Sequence, residues 1–316
     1  MYLLTWNITI GNYRVQTLKA VKITTSVLNL SDTATIELPG QYLNNWHQIE
    51  NKIKVGNAVT IRLGYDGLLE TEFTGYLKRI GRDNNSLTLE CEDALYLLDK
   101  TVEDMEYKSI SLKDLLQKVL AQVDSEMKVD CNYDFTYEKM VVFKSTALDV
   151  LKKIHSDTKA NIWFEGKTLH VHPVYQKKEG DDHVIYDTEV NVQSNELKWK
   201  DETDRKVMVE VTYANAKGQQ KKKEFGTSGG VKVTVPVSAG NEDDLKKAAE
   251  SNYKLWSYSG FEGSFTGWLI PIVKAGGSVR LRDKERPEGI YYVTGVEIEF
   301  GQSGAKRKVT LGRKLG

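Results

Sequence analysis

The stretch TLHVHP at residues 168–173 carries two of the chain's five histidines, His170 and His172. At positions i and i+2 of a strand, both imidazoles point to one face. Two imidazoles on one face are half the ligand set of a tetrahedral zinc site. Further ligands would have to come from elsewhere, and His183 with Asp181 and Asp182 are nearest in sequence. No C-x-x-C, H-x-x-x-H or H-E-x-x-H accompanies them. Leu169 and Val171 alternate with the imidazoles and explain the strand without a metal. The expectation is therefore a solvated or interface face, with no metal, cofactor or catalytic residue assigned.

Nucleophilic chemistry has weak support. GTSGG at 226–230 is read as resembling the G-x-S-x-G nucleophile elbow in composition only, and it follows a polar loop. Cys91 lies between Glu90 and Glu92, and Cys131 follows Asp130. Acidic neighbours raise a thiol pKa and so quench it. Two cysteines in a chain of this length form no disulfide framework, so free thiols in a reducing compartment are expected. Lys221, Lys222 and Lys223 form a basic run, expected at a solvated hairpin tip, and there is no G-x-x-x-x-G-K-[ST] phosphate loop. Paired carboxylates, as in a glycosidase, carry no signal among 44 acidic residues.

The totals narrow the partners. Lys and Arg number 44 and so do Asp and Glu, giving a formal net charge of zero. That balance disfavours nucleic acid or an anionic membrane as the main partner, and it leaves self-association unopposed. MYLLTWNITIGNY lacks the basic start and apolar core of a signal peptide, and no apolar run nears the ~20 residues of a membrane helix. A soluble, cytoplasmic product is expected. Trp46, Trp163, Trp199, Trp256 and Trp268 are spread over different elements, where core packing or a subunit interface would use them.

The elements that must position these residues follow from periodicity. Residues 1–100 read as short alternating strands, with turns at Gly11-Asn12 and Asp66-Gly67, the pattern of an antiparallel barrel or sandwich. DALYLLD is a short helical cap. From 101 to 175 the pattern changes. Ser111 caps a helix whose face is Leu112, Leu115, Leu116, Val119, Leu120 and Val123. VDCNYDFT reads as a strand. Ser145 or Thr146 caps a second helix with Asp149 in its first turn, and NIWFEGKTLHVHP is a hairpin turning at Glu165-Gly166. From 176 to 316 strands return, with Pro236 marking an edge strand or strand end and a helix capped by Asn241. The expected fold is mainly β: two similar antiparallel β-barrel domains, 1–100 and 176–316, flanking an α+β insert at 101–175.

These motifs in this order resemble phage tail baseplate hub proteins, the late control protein family. The resemblance rests on FTGYL at 73–77 leading to CED at 91–93, then on the helix, strand, TALDVL helix and WFEGKTLHV hairpin. It is completed by GGSV at 276–279 and YYVTGV at 291–296. The family is related to the N-terminal part of type VI secretion spikes and to siphophage tail-associated proteins. The resemblance implies a non-enzymatic homotrimeric ring joining the tail tube to the spike or needle. Tape measure protein and then DNA would pass through it. It also implies a place in the virion tail after assembly in the host cytoplasm. The family pattern assigns the two histidines no role. The sequence ends at KVTLGRKLG without a lysozyme or peptidase extension, so lytic activity is not implied. The alternatives are a tail-associated cell-wall hydrolase and a receptor- or carbohydrate-binding tail module.

Overall fold

The computed structural model describes residues 2–39, 52–82, 86–158, 160–172, 184–214, 220–236, 246, 249–250, 252–253 and 256–315. Strands of four or more residues are numbered here. The first half contributes β1 (Leu4–Ile10), β2 (Ala20–Ser26), β3 (Thr33–Pro39), β4 (Ala58–Tyr65), β5 (Leu68–Arg82) and β6 (Ser86–Glu92). They pair antiparallel in the order β2-β3-β6-β5-β4-β1. The two expected turns are both present. Ile10 pairs with Tyr13 across Gly11-Asn12, and Tyr65 pairs with Leu68 across Asp66-Gly67. Asp66 and Gly67 both have positive φ, as a primed two-residue turn requires.

The motifs behind the resemblance have local physical causes. A Cβ on Gly75 would lie 2.2 Å from the Glu92 carbonyl oxygen, so FTGYL needs glycine where β5 presses on β6. Cys91 fills the core beneath it. Asp93 accepts from the Leu95 N–H at 2.9 Å, capping the short 3-10 helix Ala94–Leu98, and from the Asp32 N–H at 2.9 Å.

The insert is built from α1 (Leu112–Val123), β7 (Lys128–Cys131), α2 (Ala147–Thr158), β8 (Asn161–Glu165) and β9 (Thr168–His172). Ser111 Oγ accepts from the Asp114 N–H at 3.1 Å, as a Ser N-cap should. Thr146, rather than Ser145, caps α2. Its Oγ1 accepts from the Asp149 N–H at 3.1 Å, and the Asp149 carboxylate accepts back from the Thr146 N–H at 3.0 Å. The hairpin pairs Glu165 with Thr168, so its two turn residues are Gly166 and Lys167, one position later than expected. β7 joins β9 in parallel, giving the order β7-β9-β8. The helices and the apolar face of this sheet enclose a core of their own.

The second half contains β10 (Val184–Asp187), β11 (Val192–Asn195), β12 (Val207–Ala214), β13 (Gln220–Gly226), β14 (Val231–Pro236), β15 (Ser264–Trp268), β16 (Ser278–Arg282), β17 (Gly289–Gly301) and β18 (Gly304–Lys314). β17 pairs with β18, with β16 near its start and with β2 towards its end. The two halves therefore share one sheet and one hydrophobic core. From YYVTGV onward the strand's main-core residues step from Tyr291 and Val293 to Val296, Ile298 and Phe300, while Tyr292 and Thr294 are buried outside that core. Register irregularities between Tyr291 and Gly295 shift the alternation there, which explains a three-residue step inside a strand.

The fold is mainly β with an α+β insert, but pairing is not antiparallel throughout. β10 joins β16 in parallel, as β12 joins β14. β12, β13 and β14 form a separate small sheet over its own cluster, in which Ala249 is buried and Tyr253 and Trp256 are partly buried. Pro236 is the last residue of edge strand β14, as its missing N–H favours. The helix start expected at Asn241 lies outside the described residues. Among the described residues no helix is long and apolar enough to cross a membrane.

Candidate functional site

The imidazoles of His170 and His172 lie on one face of β9, while Leu169 and Val171 pack into the insert's core on the other. The third member of the cluster comes from the parallel neighbour β7. The register sets Asp130 opposite His170. Asp130 Oδ2 lies 2.8 Å from His170 Nδ1 and 3.2 Å from His172 Nε2. His170 Nε2 lies 3.8 Å from Glu165 Oε2. The Trp163 indole covers both rings, stacked on His170 at 5.1 Å between centroids and tilted over His172 at 5.3 Å. Burial pushes the Asp130 carboxyl up, and the two imidazoles more than reverse this, leaving it below the ordinary carboxylate range. Of the expected solvated or interface face, the solvated alternative does not hold at His170, which is buried beneath Trp163. His183, Asp181 and Asp182 lie outside the described residues, and so does Trp46.

Trp163 also joins the insert to the second half. Gly276 has φ +84°, and a Cβ there would lie 3.1 Å from Trp163 Cζ2. Beside this contact Lys274 pairs with Glu165 at 2.8 Å, and Asn161 donates to the Tyr292 hydroxyl at 3.2 Å. A cleft of about 360 Å³ opens where the insert hairpin meets both halves of the sheet. Its walls include Glu72, Arg307, Asp32, Asp93, Trp163 and Lys274.

Arg307 is buried and fully engaged. Its Nε donates to Leu269 O at 3.0 Å, one terminal nitrogen donates to Val273 O at 3.0 Å, and the other meets Glu72 Oε1 at 2.6 Å. Burial raises the Glu72 carboxyl, only partly offset by Arg307. Asp32 and Asp93 form a second acidic feature. Burial, then the Asp93 charge, push the Asp32 carboxyl up to about 8. Burial pushes Asp93 up to about 7 against two backbone hydrogen bonds.

The remaining sequence candidates separate. Cys91 is buried, and burial more than Glu90 pushes its thiol up to about 12. Burial likewise raises Cys131. Residues 226–230 meet the spacing G-x-S-x-G, but the turn runs from strand β13 to strand β14 with no helix after it, so the elbow context is missing. The lysine run is not a tip. Lys221, Lys222 and Lys223 lie within β13, paired in register with Tyr213, Thr212 and Val211. Glu210, on the adjacent strand, takes Lys222 at 3.5 Å and Lys232 at 2.7 Å. Of the tryptophans, Trp268 is 52% exposed while Trp163, Trp199 and Trp256 are half-buried.

Comparison with known proteins places this architecture. No family model matches the chain, and no curated protein matches it. Solved structures do. A tail protein from Neisseria meningitidis aligns over 99% of this chain and 96% of its own, with TM-score 0.66 at 17% identity. The 43 kDa tail protein of a Shewanella oneidensis prophage aligns over 98% and 97%, with TM-score 0.64 at 15% identity. An Escherichia coli component of the type VI secretion system aligns over 97% and 76%, with TM-score 0.57 at 8% identity. The chain has the fold of these tail proteins and of this type VI secretion component.

Proposed function

We propose that the protein is a structural component of a phage, prophage or related injection tail: a baseplate hub whose trimeric ring joins the tail tube to the spike. The carrying observation is alignment with two tail proteins over nearly the full length of both partners. A likeness confined to one sheet would support only a shared module. The internal construction agrees with the reading. Each half contributes a set of strands to one continuous sheet, and β2 and β17 join them edge to edge. A subunit with two comparable sheet halves lets a ring of three present six near-equivalent surfaces to a sixfold tube. In this reading residues 1–100 and 176–316 are the two ring-forming domains, and 101–175 is a peripheral insert. The ring admits tape measure protein and DNA, and the protein is assembled in the host cytoplasm before reaching the tail. No enzymatic step is assigned. The unreactive environment of Cys91 and the strand-to-strand setting of Ser228 support that choice.

Light scattering over a range of protein concentrations, at low and moderate salt, tests the ring. A trimer is expected. If the protein is a monomer throughout, purified tails should be probed next with an antibody to the chain. Its absence from them would sink the hub reading. Clearing of a peptidoglycan zymogram by the purified chain would replace it with a hydrolase.

A further inference from the structure

We propose that Asp130, His170 and His172 form a divalent-metal site of the zinc class on the outer face of the insert sheet. The inference is independent of the tail reading. Its first support is geometric. The ligand atoms of the three residues all lie within 4.8 Å of one another. The carboxylate oxygen is 2.8 Å from one ligating nitrogen and 3.2 Å from the other. Ligands of a tetrahedral zinc ion, at metal–ligand distances near 2.0 Å, stand about 3.3 Å apart. Small rotations of the side chains would therefore bring all three into coordination, with water completing the shell.

The second support is the setting of His170. Its ring lies between two carboxylates, with Nδ1 at 2.8 Å from Asp130 and Nε2 at 3.8 Å from Glu165. A neutral imidazole has one N–H. With the proton on Nδ1 the ring donates to Asp130, and with the proton on Nε2 the Nδ1 lone pair and the Asp130 oxygen can both ligate an ion. Such an ion also draws in His172, whose Nε2 converges on the same oxygen. The proton on Nε2 then faces Glu165, the carboxylate partner that metal-bound histidines commonly use to fix their tautomer. Two imidazoles and one carboxylate suit zinc, cobalt or nickel in preference to calcium or magnesium, which take oxygen ligands. Strands β7 and β9 meet here only side by side, so a shared ion would clamp the insert sheet at its parallel seam. Trp163, stacked on His170 and tilted over His172, would report the ion.

The experiment uses the whole chain, dialysed against chelator and then titrated with Zn²⁺ by calorimetry and with Co²⁺ by visible absorption. One ion per chain is expected, with the intense bands of four-coordinate Co²⁺ and a change in tryptophan emission. Asp130→Asn keeps the side-chain shape and should weaken binding roughly 100-fold. His172→Ala should do the same, and Glu165→Gln should weaken it by about 10-fold, as loss of an outer partner does. Zn²⁺ should raise the melting temperature of the unaltered chain and not that of Asp130→Asn. No stoichiometric binding by the unaltered chain would overturn the proposal and leave a hydrogen bond between His170 and Asp130 as the whole of the contact. Binding unaffected by both Asp130→Asn and His172→Ala would overturn it too, since the ion would then sit elsewhere.

Discussion

Glu72 with Arg307, and Asp130 with His170 and His172, are two ionic clusters near one cleft that differ in how their charge is fixed. In the first, a guanidinium that cannot lose its proton meets one carboxylate and two carbonyl oxygens, and every contact is at hydrogen-bonding distance. In the second, two titratable rings share one carboxylate, and the number of bound protons or ions sets the charge. The difference separates roles. Glu72 and Arg307 are 235 residues apart in sequence and lock the first half of the sheet to the Leu269–Val273 segment under all ordinary conditions. The histidine cluster holds its seam through hydrogen bonds to one shared carboxylate, and an added proton or ion would strengthen it.

The largest expected effect breaks the fixed cluster. Arg307→Met leaves Glu72 buried without its counter-charge, which should cost about 3–5 kcal/mol of unfolding free energy. Chemical denaturation of the variant measures it. Adding Glu72→Leu should recover most of the loss, because an apolar pair of similar volume removes both desolvation penalties. A single variant within ~1 kcal/mol of the parent would mean that water reaches the pair and that the two clusters do not differ as argued.

A smaller effect, which sharpens the contrast, belongs to the carboxyls of Asp32 and Asp93. Both titrate higher in the folded chain than the ordinary aspartate value, at about 8 and about 7. Between the unfolded value near ~4 and these folded values the native state binds more protons, so stability must fall as pH rises through that window. Asp32→Asn keeps the oxygen that accepts from the Ser26 N–H at 2.9 Å and removes the charge. Relative to the parent it should gain about 1–3 kcal/mol between pH 5 and pH 9. Thermal melts across that range would show it, and parallel pH profiles for the two proteins would refute the buried charge.

These contrasts also mark what a sequence can show. The insert was legible because its signals are local. Ser111 and Thr146 find their partners three residues on, and the Leu112–Val123 face repeats at the helical period. Asp130 was invisible as a partner of His170 because nothing in VDCNYD states that β7 will run parallel to β9 in that register. Glu72 and Arg307 were invisible for the same reason over a longer span. The lysine run misled because three like charges read as a loop, whereas Glu210, Glu224 and Lys232 make an ion-pair network across the small sheet. In FTGYL the glycine was recognisable as part of a pattern, but its cause, the Glu92 carbonyl, came only with the structure.

The smallest expected effect concerns the solvated end of α2, where charge is neither locked as at Arg307 nor variable as at His170. The reciprocal hydrogen bonds of Thr146 and Asp149 are exposed, and they hold the Asp149 carboxyl below its ordinary range. A depressed carboxyl contributes stability that is present above the unfolded value and lost as pH falls through the folded one. Thr146→Ala removes the cap and should cost about 1 kcal/mol at neutral pH. The cost should shrink in acid, once Asp149 is protonated in parent and variant alike. This runs opposite to the Asp32 profile, so hydrogen exchange of the α2 amides at two pH values would discriminate. A Thr146→Ala penalty that grew in acid would show that the cap acts through packing against the insert's core instead of through Asp149.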